Sequence, residues 1–333
     1  MEMETNSIML IKQKLEFFDI LKAALVIPCK NANFIVFTFF SSLPFFCFMV
    51  LYETFLQTTL LETSKVLTVL PGLYNYIWVI STFITRRLTW DFSLQLIRLG
   101  LLYLVPLHLV ELFNVIVTVD LASRIYTGEN PITLREMIHK SVDKAWLKGS
   151  FITSVYVLFL STCTLLGLIW IVTNYTIFSR SIFIYDLFFV AVYGAAFAIL
   201  LTKYLEWSAV WNMSIVVSIL EKRYGVEALA VSQYLVRGNE QRGLFFMLVF
   251  FAWGIVLRLP CLYGECNEIG SKIVPQITLF CLGNVIKWVV CVVYFHDCKK
   301  RILEKVDEEG EEIRAVDEVE GREKLRKKAD DEV

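Results

Sequence analysis

The stretch VPQITLFCLGNVIKWVVCVVYF, residues 274–295, decides how this chain folds. It holds a single charge, Lys287, and apart from Gln276, Thr278 and Asn284 is apolar all round a helix. A soluble helix buries one stripe and wets the other, whereas a helix bathed in lipid is apolar on every side. Crossing a hydrocarbon layer of about 30 Å takes about 20 such residues. The charged run His296-Asp297-Cys298-Lys299-Lys300-Arg301 follows at once and marks where the span meets water.

Five further stretches of the same kind lie upstream, at 34–55, 96–121, 151–177, 182–205 and 244–263. Hydrophobic residues make up 56% of the 333, with 26 phenylalanines, which excludes a soluble two-domain reading. No short apolar core with a small-residue cleavage site precedes the first stretch, so that span is expected to serve as its own signal anchor.

Positive charge alternates between the connections. The N-terminal arm has Lys12, Lys14, Lys22 and Lys30, and the second connection has Arg124, Arg135, Lys140, Lys144 and Lys148. The fourth has Lys222, Arg223, Arg237 and Arg242, and the tail opens with Lys299, Lys300, Arg301 and Lys305. Between them stand connections with Arg180 alone and Lys272 alone. Lysine and arginine stay on the cytoplasmic side, so both termini are expected there, in the endomembrane system (endoplasmic reticulum) or the plasma membrane.

One segment disturbs the pattern. Residues 66–84 are apolar and near span length, but Pro71-Gly72 interrupts their start and Arg86-Arg87 follows them. A seventh span here would reverse every later loop and destroy the alternation. The segment is therefore expected to be re-entrant or interfacial, a position that suits Tyr74, Tyr76, Trp78 and Trp90.

The chain reads as three copies of one unit, an amphipathic helix followed by a hairpin of two spans. The first amphipathic stretch is 15–29, with Leu15, Phe18, Leu21 and Leu25 at helical spacing. A second, 133–148, opens with Thr133 and Glu136 in capping-box register, and a third, 226–237, follows Tyr224-Gly225. Such helices either lie in the headgroup layer or pack on the ends of the spans. The expected fold is thus an all-α integral membrane protein of about six transmembrane helices in three such units. Residues 1–33 form a cytoplasmic amphipathic arm, 34–298 the polytopic domain, and 299–333 a charged cytoplasmic tail expected to be disordered or a fraying helix.

Several runs carry a family resemblance. They are Leu15-Glu16-Phe17-Phe18-Asp19-Ile20-Leu21-Lys22, Val119-Asp120-Leu121-Ala122-Ser123-Arg124-Ile125-Tyr126, and Trp207-Ser208-Ala209-Val210-Trp211-Asn212 with Arg237-Gly238-Asn239 and Arg242-Gly243 downstream. These resemble a plant family of uncharacterised multi-spanning membrane proteins. More remotely they are similar to the membrane domain attached to some bacterial glycerophosphoryl diester phosphodiesterases. The resemblance implies a six-helix membrane bundle and no established catalytic residues. The soluble phosphodiesterase domain has no counterpart here, so hydrolase activity is not implied.

Ionisable residues inside apolar spans cost about 2.5–3.5 kcal/mol each at mid-span and need a reason to be there. His108 and Glu111 share one helix face just after Pro106, and Lys287 sits mid-span in the last stretch. They form either a polar pathway for an ion or headgroup, or interhelical pairs such as Glu111 with Lys287. Lys299, Lys300 and Arg301 form a basic cluster suited to anionic headgroups. Gly-x-Ser-x-Gly, His-Glu-x-x-His, P-loop and Gly-x-Gly-x-x-Gly motifs are missing, and no Cys/His set has zinc spacing. Catalytic residues, cofactors and metals are therefore not expected, nor is nucleic-acid binding. Cys261 and Cys266 are the one pair placed to bridge a short loop. The function expected is a non-enzymatic scaffold or lipid-interacting element, with the bilayer, anionic headgroups or other membrane proteins as partners. The alternative is a small-solute or ion transporter using His108, Glu111 and Lys287.

Overall fold

The computed structural model describes residues 17–30, 32–73, 94, 97–128, 144–181, 186–262 and 273–330. Among these the chain is helical throughout and contains no strand. The helices are α1 (Phe17–Lys30), α2 (Ala32–Leu73), α3 (His108–Thr127), α4 (Lys144–Ser181), α5 (Asp186–Leu220), α6 (Val226–Val236), α7 (Glu240–Leu262) and α8 (Ile273–Asp330). A short helical lead-in, 97–102, enters α3 through a π-helical turn at Tyr103–Leu107. Pro106 lies in that turn and has no N–H to continue the α ladder, which is the physical cause of the break.

Five of these helices are long and apolar enough to cross a membrane. They are Asn33–Thr59, Lys148–Tyr175, Val190–Leu220, Glu240–Arg258 and Ile273–Glu304. The expected second span, 96–121, is not among them. It is interrupted at Pro106, and α3 carries Glu111, Asp120 and Arg124, with every residue from Asn114 to Asp120 buried in the bundle. Its polarity is accommodated by protein rather than by lipid.

Burial sorts the helices into centre and periphery. Of the most apolar window of α8, 61% is buried, against 6% for α4. Accordingly α8 touches α1, α2, α3, α5, α6 and α7, whereas α4 pairs mainly with α5 as a lipid-facing hairpin. The main core gathers at the end where α8 carries Asp297. There Ile116, Val119, Met213, Val216, Phe246, Val289 and Phe295 interlock. A smaller cluster of Phe45, Met49, Leu107, Ile273, Ile277 and Cys281 occupies the other end.

Two local devices tighten it. Gly225 adopts φ +61°, and its N–H donates to Thr153 Oγ1 at 2.8 Å, tying the α5–α6 turn to α4. Nearby, the Tyr224 ring lies on Gly149 so closely that no Cβ could be accommodated there without movement.

Helix α1 packs on the bundle through residues other than the Phe18, Leu21, Leu25 stripe. The residues that meet the bundle are Ile20, Ala24 and Ile27, all buried, with Leu21 half-buried. Phe18 and Leu25, assigned to one stripe with Leu21, face the opposite way and are 75% and 43% exposed. Ala24, fully buried, is a small residue on the packed face. Cys298, expected at the interface, is instead buried in the core.

Other expectations meet the limits of the description. Helix α2 runs unbroken from the first span to Leu73, so 66–73 continue it, while 74–84 lie outside the described residues. Of the stretch 133–148, only the part from Lys144 is described, and Cys266 lies outside, so the Cys261–Cys266 bridge is not addressed. Helix α8 continues through the tail to Asp330. Its glutamate, lysine and arginine are strong helix formers, and Lys300 pairs with Glu304 one turn on at 3.6 Å.

Candidate functional site

Polar side chains are gathered at three levels of the bundle. At the end bearing Asp297 they form a linked ring. The Asp297 carboxylate, its side chain 4% exposed, accepts from Arg301 Nε at 2.8 Å and lies 3.7 Å from Arg242 Nη1. Arg301 Nη1 also donates to Asn239 Oδ1 at 3.3 Å, and the Tyr294 hydroxyl donates to the Asn239 carbonyl at 2.9 Å. On the neighbouring side, Ser123 Oγ and His296 Nε2 are 3.0 Å apart, and Tyr126 stacks on the imidazole. Burial raises the Tyr126 phenol above its usual range, with the Asp297 charge adding to the effect. Arg124 bonds Asp120 at 2.9 Å, and Lys299 reaches Glu221 at 2.7 Å.

The expected basic cluster thus has acidic company. Lys299 is held by Glu221, Lys300 by Glu304, and Arg301 by Asp297. Asp297, Asn239 and Arg242 were not singled out as a site. Asn239 and Arg242 did fall in a run quoted for its resemblance, and that was the available signal.

At mid-level stand His108 and Glu111. His108 is buried, and its Nε2 lies 2.8 Å from Ser154 Oγ on α4, while half-buried Glu111 lies one turn further along α3. One turn beyond, Asn114 Oδ1 accepts from the hydroxyls of Ser41 at 2.9 Å and Ser42 at 3.0 Å. These bonds staple α3 to α4 and α2. Glu53, buried within the first span, is a further intramembrane carboxylate that sequence reasoning passed over.

Lys287 is elsewhere. No ion pair joins it to Glu111, and its ammonium sits 4.6 Å from the centroid of the adjoining Trp288 ring. It lines a cavity of about 180 Å³ between α5, α7 and α8, together with Tyr204, Ser208, Asn212 and Asn284, and neither His108 nor Glu111 is in that lining. The structure therefore brings His108 and Glu111 together and places Lys287 apart from both. Among the described residues no group of three His, Cys, Asp or Glu side chains is gathered as a metal ion requires.

With this geometry in hand, comparison places the chain in a family. The model of DUF8558, a domain of unknown function, matches residues 1–311, and the chain belongs to that family. No match was found among curated protein sequences or among solved structures.

Proposed function

We propose that this member of DUF8558 is a non-enzymatic multi-pass membrane protein acting as a scaffold or lipid-interacting element. In this reading it stands on six spans in three units with both termini cytoplasmic. The observation that carries it is the two-faced burial of α1. Ile20, Ala24 and Ile27 anchor that helix to the bundle, while Phe18 and Leu25 point away from it. Helix α6 likewise buries Ala228, Ser232 and Leu235, while its outward side mixes Val226 and Tyr234, 64% and 60% exposed, with the polar Glu227 and Gln233. A short helix fixed at the end of a bundle with its apolar side outward suits the headgroup layer, where it can contact or shape one leaflet.

The polar ring supports the same reading. Its charges are engaged with one another, as struts between α3, α5, α7 and α8 would be, and Lys299 and Lys300 remain close enough to the surface to meet anionic headgroups. Transport is the second reading. It requires His108, Glu111 and Lys287 to face one hydrated path; the cavity at Lys287 favours it, and the separation of Lys287 from the other two weighs against it.

Depth measurement tests the proposal. Nitroxide labels at Phe18 and Leu25, in full-length protein lacking its native cysteines and reconstituted into bilayers, should be reached by oxygen more than by a water-soluble relaxant. A label at the exposed Gln241 serves as the aqueous reference. Labels at 18 and 25 as water-accessible as that reference would remove the basis for a membrane-surface helix.

A further inference from the structure

The cavity at Lys287 has the chemistry of a ligand site. We infer that it receives the anionic head of a single-chain amphiphile, a carboxylate or phosphate entering from the hydrocarbon with its chain trailing in lipid. The inference deepens the lipid-interacting reading above and rests on it.

Three observations converge. First, the lining contains a cation and no acid. Lys287 stands midway along the apolar run Ile273–Glu304, and no carboxylate among the described residues forms an ion pair with it. The contact with the Trp288 ring solvates one side of the ammonium and leaves the rest of its donors to the cavity.

Second, the groups around Lys287 are donors. Asn284, one turn earlier on α8 and 8% exposed, has an amide Nδ2 with no hydrogen-bond partner. A buried donor left unpaired is costly, and an oxyanion in the cavity would satisfy it. Across the cavity Ser208 Oγ already accepts from Asn212 Nδ2 at 3.2 Å, which leaves the hydroxyl proton to be donated.

Third, size and surroundings choose the ligand. A cavity of about 180 Å³ that opens at the bundle surface has room for an oxyanion and its first methylenes, with the rest of a chain outside it. Beside the polar groups the lining includes Met247, Phe250, Phe251 and Phe280, which suits an alkyl chain and not a sugar or a hydrated ion. Gly283 shapes the wall: a Cβ there would stand 2.6 Å from Trp253 Nε1, so the indole edge lies flat against α8 only because that position is glycine.

The test is photolabelling of the full-length protein in nanodiscs with a diazirine-bearing fatty acid, followed by peptide mapping. Label is expected on 247–254 or 280–287, displaced by unlabelled oleate or lysophosphatidate and not by monoacylglycerol. Lys287→Met should reduce it about tenfold, the loss of one charge-assisted hydrogen bond, and Lys287→Arg should restore it. The methionine variant removes a charge from a span, so insertion is not endangered, and an unchanged gel-filtration profile verifies the fold. Asn284→Leu should weaken labelling independently.

Equal labelling of wild type and Lys287→Met would overturn the inference, as would displacement by monoacylglycerol. Displacement by inorganic phosphate alone would point to a soluble anion and overturn it too. Label confined to the Phe18 and Leu25 face would sink the cavity site while leaving the lipid-interacting reading intact. Label at neither place would count against both.

Discussion

Asp297 shows how much one residue can be asked to hold. Its carboxylate lies beneath the surface between Arg301 and Arg242, so it joins α8 to itself and to the start of α7. Removing it leaves two guanidinium groups with an acceptor lost and no water to replace it fully. Asp297→Ala should destabilise the protein by about 2 kcal/mol, in the range for a hydrogen bond to a charged group. Thermal unfolding of the purified protein in detergent measures this. Combined with Arg301→Ala, the loss should fall short of the sum of the two single losses, because both changes break one contact. His108 behaves differently. Its bond to Ser154 is a single interhelical contact, and such contacts average about 0.6 kcal/mol in membranes, so Ser154→Ala should shift stability only slightly. Glu111→Gln should leave both stability and lipid contact unchanged; a variant inactive in a transport assay but folded would instead promote the pathway reading. Sequence alone identified His108, Glu111 and Lys287 as costly and in need of partners. It could not supply the partner of His108, because Ser154 is an ordinary serine on another helix that only folding brings near.

At the scale of elements, the reading from hydrophobicity was best where lipid is the solvent and weakest where protein is. Helices α4 and α7 are lipid-exposed along much of their length, and their apolar runs alone identify them as helices of span length. In helix α1 the most apolar stripe is not the packing stripe, and hydrophobicity alone does not say which stripe meets protein. Phe18 and Leu25 advertise burial by hydrophobicity, yet the bundle takes Ile20, Ala24 and Ile27, with the small Ala24 at the contact. Helix α3 combined both problems, since its charges are buried by neighbours and Pro106 divides it from its lead-in. Small residues are therefore the sharper probe of packing. Gly149 faces the Tyr224 ring without room for a methyl group. Gly149→Ala should cost about 1–3 kcal/mol, the usual range for overpacking, visible as a lower unfolding temperature. Tyr224→Ala in the same chain should recover part of that loss by vacating the space. A neutral Gly149→Ala would instead mean that the Tyr224 ring can move aside without cost.

For the whole molecule, the decisive property is which ends of the helices share a side of the membrane. The core gathers where α8 carries Asp297, and the same end holds Arg124, Lys222, Arg223 and Arg242. Helices that begin or end there must lie on one side of the bilayer if the bundle is to span it. In the reading proposed above that side is the cytoplasm, on the argument that positive charge is retained there. Single cysteines at Ser64, Thr89, Ser141, Gln241 and Ser271, in a chain lacking the native ones, read this out through an impermeant maleimide. Gln241 is preferred to Asn239 because Asn239 bonds Arg301 and Tyr294 and would not tolerate replacement quietly. Six spans require Ser64, Thr89 and Ser271 to label from outside, and Ser141 and Gln241 only after permeabilisation. Opposite sidedness of Ser64 and Thr89 would make 66–84 a true crossing. Every later connection would then reverse relative to the first, α1 would no longer share a leaflet with α6, and the three-unit arrangement would give way to a seven-helix transporter or receptor.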